Sequence, residues 1–144
     1  MNILLIGSGG REHAIAWALQ KSPNTDVLYV APGNGGTAEI AENVDLDIAD
    51  GEALLSFVHE RNIGLVVIGP EAPLVDGVAD LLRADGVPVF GPNADGAQLE
   101  GSKAYSKAFM EANDIPTAAY GRFDDEAAAR PSALMTMGAP CSRT

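Results

Sequence analysis

Positive charge is scarce in this chain. Nine Lys and Arg face 20 Asp and Glu, for a formal net charge of −11. That balance argues against a nucleic-acid surface, which needs cationic side chains to neutralise phosphates. Cysteine is nearly missing too. The single Cys141 excludes an internal disulfide and fits a reducing compartment, so a cytoplasmic setting is expected. No apolar run approaches the ~20 residues that a membrane span needs. No basic segment precedes the first apolar run, so no signal peptide is expected. No two His, Cys or acidic residues stand at a convincing metal-ligand spacing, and no Ser–His–Asp arrangement is legible. Internal repeats and low-complexity tracts are missing as well. The acidity itself fits a solvated surface.

What is present is an alternation of short apolar runs and helical segments. Ile3–Ile6 reads as a first strand, Glu12–Lys21 as a helix and Val27–Val30 as a second strand. Asp50 can cap a helix over Gly51–Arg61, where Leu54, Leu55, Phe57 and Val58 form a stripe at helical spacing. Leu65–Ile68 is apolar throughout, as a strand covered on both faces should be. Val75, Val78, Ala79 and Leu82 give the next helix one apolar face, and Val87–Phe90 reads as a fourth strand. Strands separated by helices imply a parallel α/β sheet with right-handed crossovers. After Gly91-Pro92 the pattern changes to two helices in a row, Ala94–Glu100 and Ser102–Asn113. Glu126–Arg130 makes a short helical stretch, and Ala133–Thr144 carries no clear period.

Ligands of such sheets bind at the carboxyl ends of the strands. Three loops are expected there: Gly7–Arg11, Pro32–Gly36 and Gly69–Leu74. The first is the most informative. Gly7, Gly9 and Gly10 end a strand and open a helix, and Arg11 follows at once. Glycines let a ligand approach the backbone, and the first helical N–H groups and the helix dipole favour an anion. Arg11 adds a planar fork of donors suited to phosphate. The dinucleotide fingerprint G-x-G-x-x-G is met only at Gly7 and Gly9. Its third glycine is replaced by Glu12, and the second strand runs into Ala31–Gly36 with no acid for a ribose hydroxyl. A nicotinamide site is therefore disfavoured, and a phosphate site is preferred to a plain structural turn.

Other candidates carry plainer alternatives. Asn34 and its flanking glycines suit a simple turn. Glu71, between Pro70 and Pro73, can accept hydrogen bonds from sugar hydroxyls or an amine, or be an exposed loop acid. His13 reads as a helix residue bonded to backbone or water, His59 as solvated, and Trp17 and Met110 as core. Lys103 and Lys107 lie one helical turn apart. They either balance nearby Glu100 and Glu111 or contact nucleotide phosphates.

Four motifs in order carry a family resemblance: Gly7-Ser8-Gly9-Gly10-Arg11-Glu12-His13-Ala14, Ala31-Pro32-Gly33-Asn34, Gly69-Pro70-Glu71-Ala72-Pro73-Leu74 and Gln98-Leu99-Glu100-Gly101-Ser102-Lys103. From Met1 to about Phe123 the chain resembles the N-terminal part of phosphoribosylamine–glycine ligases, the glycinamide ribonucleotide synthetases of purine biosynthesis. The resemblance implies a Rossmann-like, phosphosugar-binding leading domain over Met1–Gly101. The linker and helical start of a truncated ATP-grasp domain would then occupy Ser102–Thr144. It implies ATP-dependent joining of glycine to 5-phosphoribosylamine, with Mg²⁺ or Mn²⁺ at the ATP phosphates. Gly9, Gly10 and Arg11 would hold the substrate phosphate, with Glu12 and Asn34 in the same substrate-binding set. Glu71 would meet the ribose or amine, and Lys103 an ATP phosphate. The metal-binding acids of the family have no counterpart here, and Arg130–Met137 fits the family poorly. The polypeptide alone is therefore expected to be inactive. A non-catalytic phosphosugar- or nucleotide-binding module of the same fold is the alternative.

Overall fold

A computed structural model describes residues 1–123, 125–127 and 129–130. The expectations for Cys141, for Ala133–Thr144 and for most of Arg130–Met137 fall outside the described residues. The chain divides into two compact units, Met1–Gly101 and Ser102–Thr144.

The first unit is a parallel sheet. Its strands are β1 (Asn2–Gly7), β2 (Leu28–Pro32), β3 (Glu42–Asn43), β4 (Ile63–Ile68) and β5 (Val89–Phe90). They lie in the order β3-β2-β1-β4-β5, all neighbours parallel. The helices are α1 (Gly10–Leu19), α2 (Gly51–Glu60), α3 (Glu71–Val75), α4 (Val78–Ala84) and α5 (Ala94–Gly101). Side chains alternate across β1. Ile3 and Leu5 pack with Ala16, Ile15 and Leu19 of α1, while Leu4 and Ile6 pack with Leu54, Val58, Ala79 and Leu82 of α2 and α4. Both faces of the sheet are thus covered, which is why its central strands are apolar throughout. The strand order reverses between β1 and β4, and the crevice above that point is where open α/β sheets take ligands.

Several expectations are corrected. The sheet has five strands rather than four, because β3 is two polar residues long and carries no hydrophobic period. The last strand shortens to Val89–Phe90, since Pro88 has no N–H to give the ladder. The apolar stretch after Pro73 is two helices, broken at Gly77 with φ of +86°. Trp17 is not core. It is 52 % exposed, off the stripe by which α1 meets the sheet, with the Lys21 ammonium 3.1 Å above its ring. Met110 is only partly buried. His59 is exposed as expected, but it pairs with Asp85 at 2.7 Å. Among the described residues no helix is long and apolar enough to cross a membrane.

In the second unit α6 (Lys103–Ala112) is capped by the Ser102 hydroxyl, which accepts from the Tyr105 N–H at 3.3 Å. The following segment returns along this helix. Lys107 donates to the Thr117 hydroxyl and the Ala118 carbonyl, and Tyr120 donates to Glu111 at 2.8 Å.

Candidate phosphate-binding site

β1 ends at Gly7, and α1 begins at Gly10 with Gly9 as its cap in extended backbone. A helix leaves its first N–H groups without intrahelical acceptors. Here one of them is met from within: Glu12 Oε2 accepts the Gly9 N–H at 2.7 Å. The N–H groups of Gly10 and Arg11 remain at the helix start. Space beside Gly10 is open, since a methyl group placed there would touch nothing within 4 Å.

Glu12 is the unexpected part of the site. Its residue is only 3 % exposed. It lies where Gly7, Gly9 and Gly69 have no side chain, and a Cβ at any of the three would collide with it. Its second oxygen, Oε1, accepts from Arg11 Nε at 2.7 Å. Burial alone would push the Glu12 carboxyl up. The hydrogen bonds from Arg11 and from the Gly9 N–H, with the charge of Arg11, outweigh it and hold the carboxyl below its ordinary value. The Arg11 guanidinium is correspondingly raised, first by its bond to Glu12, against some desolvation, and further by the charges of Glu12, Glu71 and Glu100. Arg11 is about half exposed. Its Nη1 and Nη2 edge has no protein acceptor among the described residues.

The second glycine loop is tied to the first by Asn34. Its Nδ2 donates to the carbonyls of Ser8 at 2.8 Å and Gly9 at 3.3 Å. Its Oδ1 accepts from the N–H groups of Gly36 and Thr37. An amide has two donors and two acceptor positions, so Asn34 is fully engaged in fixing the loops. Beneath it the buried Thr37 hydroxyl accepts from the Asn34 N–H and lies 2.7 Å from Asn43 Oδ1. Gly33, at φ of +74°, leaves room for Asn43. His13 of α1 rests against Gly36.

Glu71 is the exposed first residue of α3 rather than part of a loop. Its charge acts on Arg11. Gly9, Gly10, Arg11, Glu12, Asn34 and Glu71 therefore gather at the carboxyl end of the sheet. Thr37 and Asn43 join them without having been anticipated, Gly69 comes from the expected third loop, and the charge of Glu100 also acts on Arg11. The spacing from Gly9 to Glu12 was the available signal for the Glu12 lock, since an acid three residues after a helix cap reaches back to the cap N–H. Lys103 belongs to the second unit. There it lines a groove of about 360 Å³ with Lys107, Tyr120, Arg122 and Phe123. Among the described residues no group of three or more His, Cys, Asp or Glu could hold a metal ion.

Comparison with known proteins decides the family. The model for the N domain of phosphoribosylglycinamide synthetase matches residues 1–100. The chain belongs to the phosphoribosylglycinamide synthetase family. A phosphoribosylamine–glycine ligase of Mesorhizobium japonicum is 54 % identical over 140 residues, covering 97 % of this chain and 33 % of that protein. The chain thus spans about a third of the length of the curated relatives it matches. The crystal structure of the phosphoribosylamine–glycine ligase of Thermotoga maritima superposes with a TM-score of 0.67 at 31 % identity, over 94 % of this chain and 30 % of that one. An N5-carboxyaminoimidazole ribonucleotide synthetase of Thermus thermophilus shares the fold, with a TM-score of 0.65 at 22 % identity over 96 % and 37 % of the two chains.

Proposed function

We propose that this chain is the substrate-binding leading part of a phosphoribosylamine–glycine ligase of purine biosynthesis, working in the cytoplasm. In that reaction ATP phosphorylates the glycine carboxylate. The amine of 5-phosphoribosylamine then attacks the glycyl phosphate, giving glycinamide ribonucleotide, ADP and phosphate. The role assigned to Met1–Gly101 is to hold the phosphoribosyl substrate. Its phosphate would sit at Gly9, Gly10 and Arg11, where backbone N–H groups and the outer guanidinium edge converge. Glu71 would accept from the ribose hydroxyls or the amine, and Glu12 and Asn34 complete the site. Lys103 would reach an ATP phosphate from the groove it shares with Lys107 and Arg122. Among the described residues no group of three or more His, Cys, Asp or Glu gathers as a metal site, and no step is assigned to Mg²⁺ or Mn²⁺.

The observation that carries this reading is Arg11. A guanidinium is anchored on one edge and open on the other, at a helix start with clear space beside Gly10, in a chain of this family. Calorimetric titration with glycinamide ribonucleotide tests it. Arg11→Ala should lose about 1.5–3 kcal/mol of binding, the scale of a charge-assisted hydrogen bond. Unchanged affinity in that variant would refute the assignment.

A further inference from the structure

We propose that Glu12 is a positioning residue, which anchors the inner edge of Arg11 and fills the crevice between β1 and β4, so that a phosphate monoester meets the outer edge of Arg11. The inference rests on the phosphate reading of Gly9–Arg11 and deepens it by separating the residue that binds from the residue that aims it.

Three observations converge. Both carboxylate oxygens are already occupied, Oε2 by the Gly9 N–H and Oε1 by Arg11 Nε, each at 2.7 Å. The side chain is nearly inaccessible, at 4 % exposure. A ligand therefore meets Arg11 before it meets Glu12. Third, the space Glu12 fills is framed by glycines at the ends of β1 and β4 and at the α1 cap. In a doubly wound sheet that crevice is the usual ligand position. Here it holds a fixed negative charge and a withdrawn Gly9 N–H, so an incoming phosphate is kept above it. Anchoring through Nε also orders a long, half-exposed side chain before the ligand arrives. The entropy of ordering Arg11 is then lost on folding rather than on binding.

The test is a double-mutant cycle, read as ribose 5-phosphate affinity by calorimetry on the 144-residue chain. Arg11→Ala should weaken binding about tenfold or more. Glu12→Gln keeps the volume and an acceptor for the Gly9 N–H but loses the charge that grips Arg11. It should weaken binding severalfold. The double variant should bind within about twofold of Arg11→Ala alone, because Glu12 acts through Arg11. If Glu12→Gln binds like the native chain while Arg11→Ala does not, the positioning role is overturned and the phosphate reading stands. If the two losses multiply, Glu12 acts independently of Arg11 and the proposal is overturned. If Arg11→Ala has no effect, the phosphate reading fails and the proposal with it. Arg11→Lys covers the case in which Glu12→Gln does not fold. A lysine has a single head group for both Glu12 and the phosphate, so it should bind about as weakly as Arg11→Ala. Native affinity in Arg11→Lys would overturn the proposal.

Discussion

At the scale of single residues the Glu12 carboxylate has a pH signature. Its folded value lies below the ordinary one, because the bonds from Arg11 and the Gly9 N–H outweigh the cost of burial. Protons therefore bind the unfolded chain more readily than the folded one at mildly acid pH. The stabilisation is complete above the unfolded carboxyl's value, about pH 4.3, and is lost as pH falls through the folded value. Urea midpoints measured downward from pH 5 should fall faster for the native chain than for Glu12→Gln. Parallel curves would mean that the carboxylate contributes nothing. The glycine cage gives a second prediction. A methyl group on Gly69 would collide with Glu12 Oε1, whose side chain is held by two bonds and cannot swing clear. Gly69→Ala should cost about 1–3 kcal/mol, the usual range for overpacking. Much of that cost should be relieved when Glu12→Ala is added, since the clashing atoms are then gone. Additive losses in chemical denaturation would show that the cage is not what constrains Gly69.

At the scale of elements, α2 owes its start to Asp50, whose carboxylate accepts from the N–H groups of Glu52 and Ala53 at 3.0 and 3.1 Å. Asp50→Ala should lower stability by about 1 kcal/mol, read as a shift in denaturation midpoint with unchanged slope. This cap was legible in the sequence because capping is local: an Asp before an apolar stripe is enough. The central strands were legible for the same reason, since Leu65–Ile68 is apolar throughout and its last three residues are buried on both faces. The elements that escaped are those made by distant partners. β3 exists because Glu42 and Asn43 meet Tyr29 and Val30 of β2, and no period in two polar residues announces that. Trp17 was misplaced because its size suggests core, while the helix turns Glu12, Ala16 and Leu19 inward instead. The site divides along the same line. The anion-binding loop is contiguous, so Gly9, Gly10 and Arg11 could be read directly. The grip on Glu12 depends on Gly69, and the bracing of Asn34 depends on Asn43. Only folding brings those residues together.

At the scale of the whole molecule, two activities are separated by what surrounds the loop. The strand order reverses at β1 and β4, as in dinucleotide-binding sheets. Glu12 fills that crevice, and β2 ends at Pro32 with no acid for a ribose. Saturable sub-millimolar binding of NAD or NADP in a fluorescence titration should therefore be undetectable. Ligation is the other activity. Phosphoryl transfer from ATP needs metal ions and several donors fixed around the phosphates. Among the described residues the cations nearest such a role are Lys103, Lys107 and Arg122 of one groove, and no acidic cluster accompanies them as a metal site. Lys107 is already tied to Thr117 and Ala118. The polypeptide Met1–Thr144 by itself should thus release no ADP in a manner dependent on glycine and phosphoribosylamine, even while it binds a phosphosugar. A coupled assay on protein purified free of host ligase checks this. ADP release that requires both substrates would show that catalytic groups lie within these 144 residues, about a third of the relatives' length. Phosphosugar binding without release would place them outside these residues.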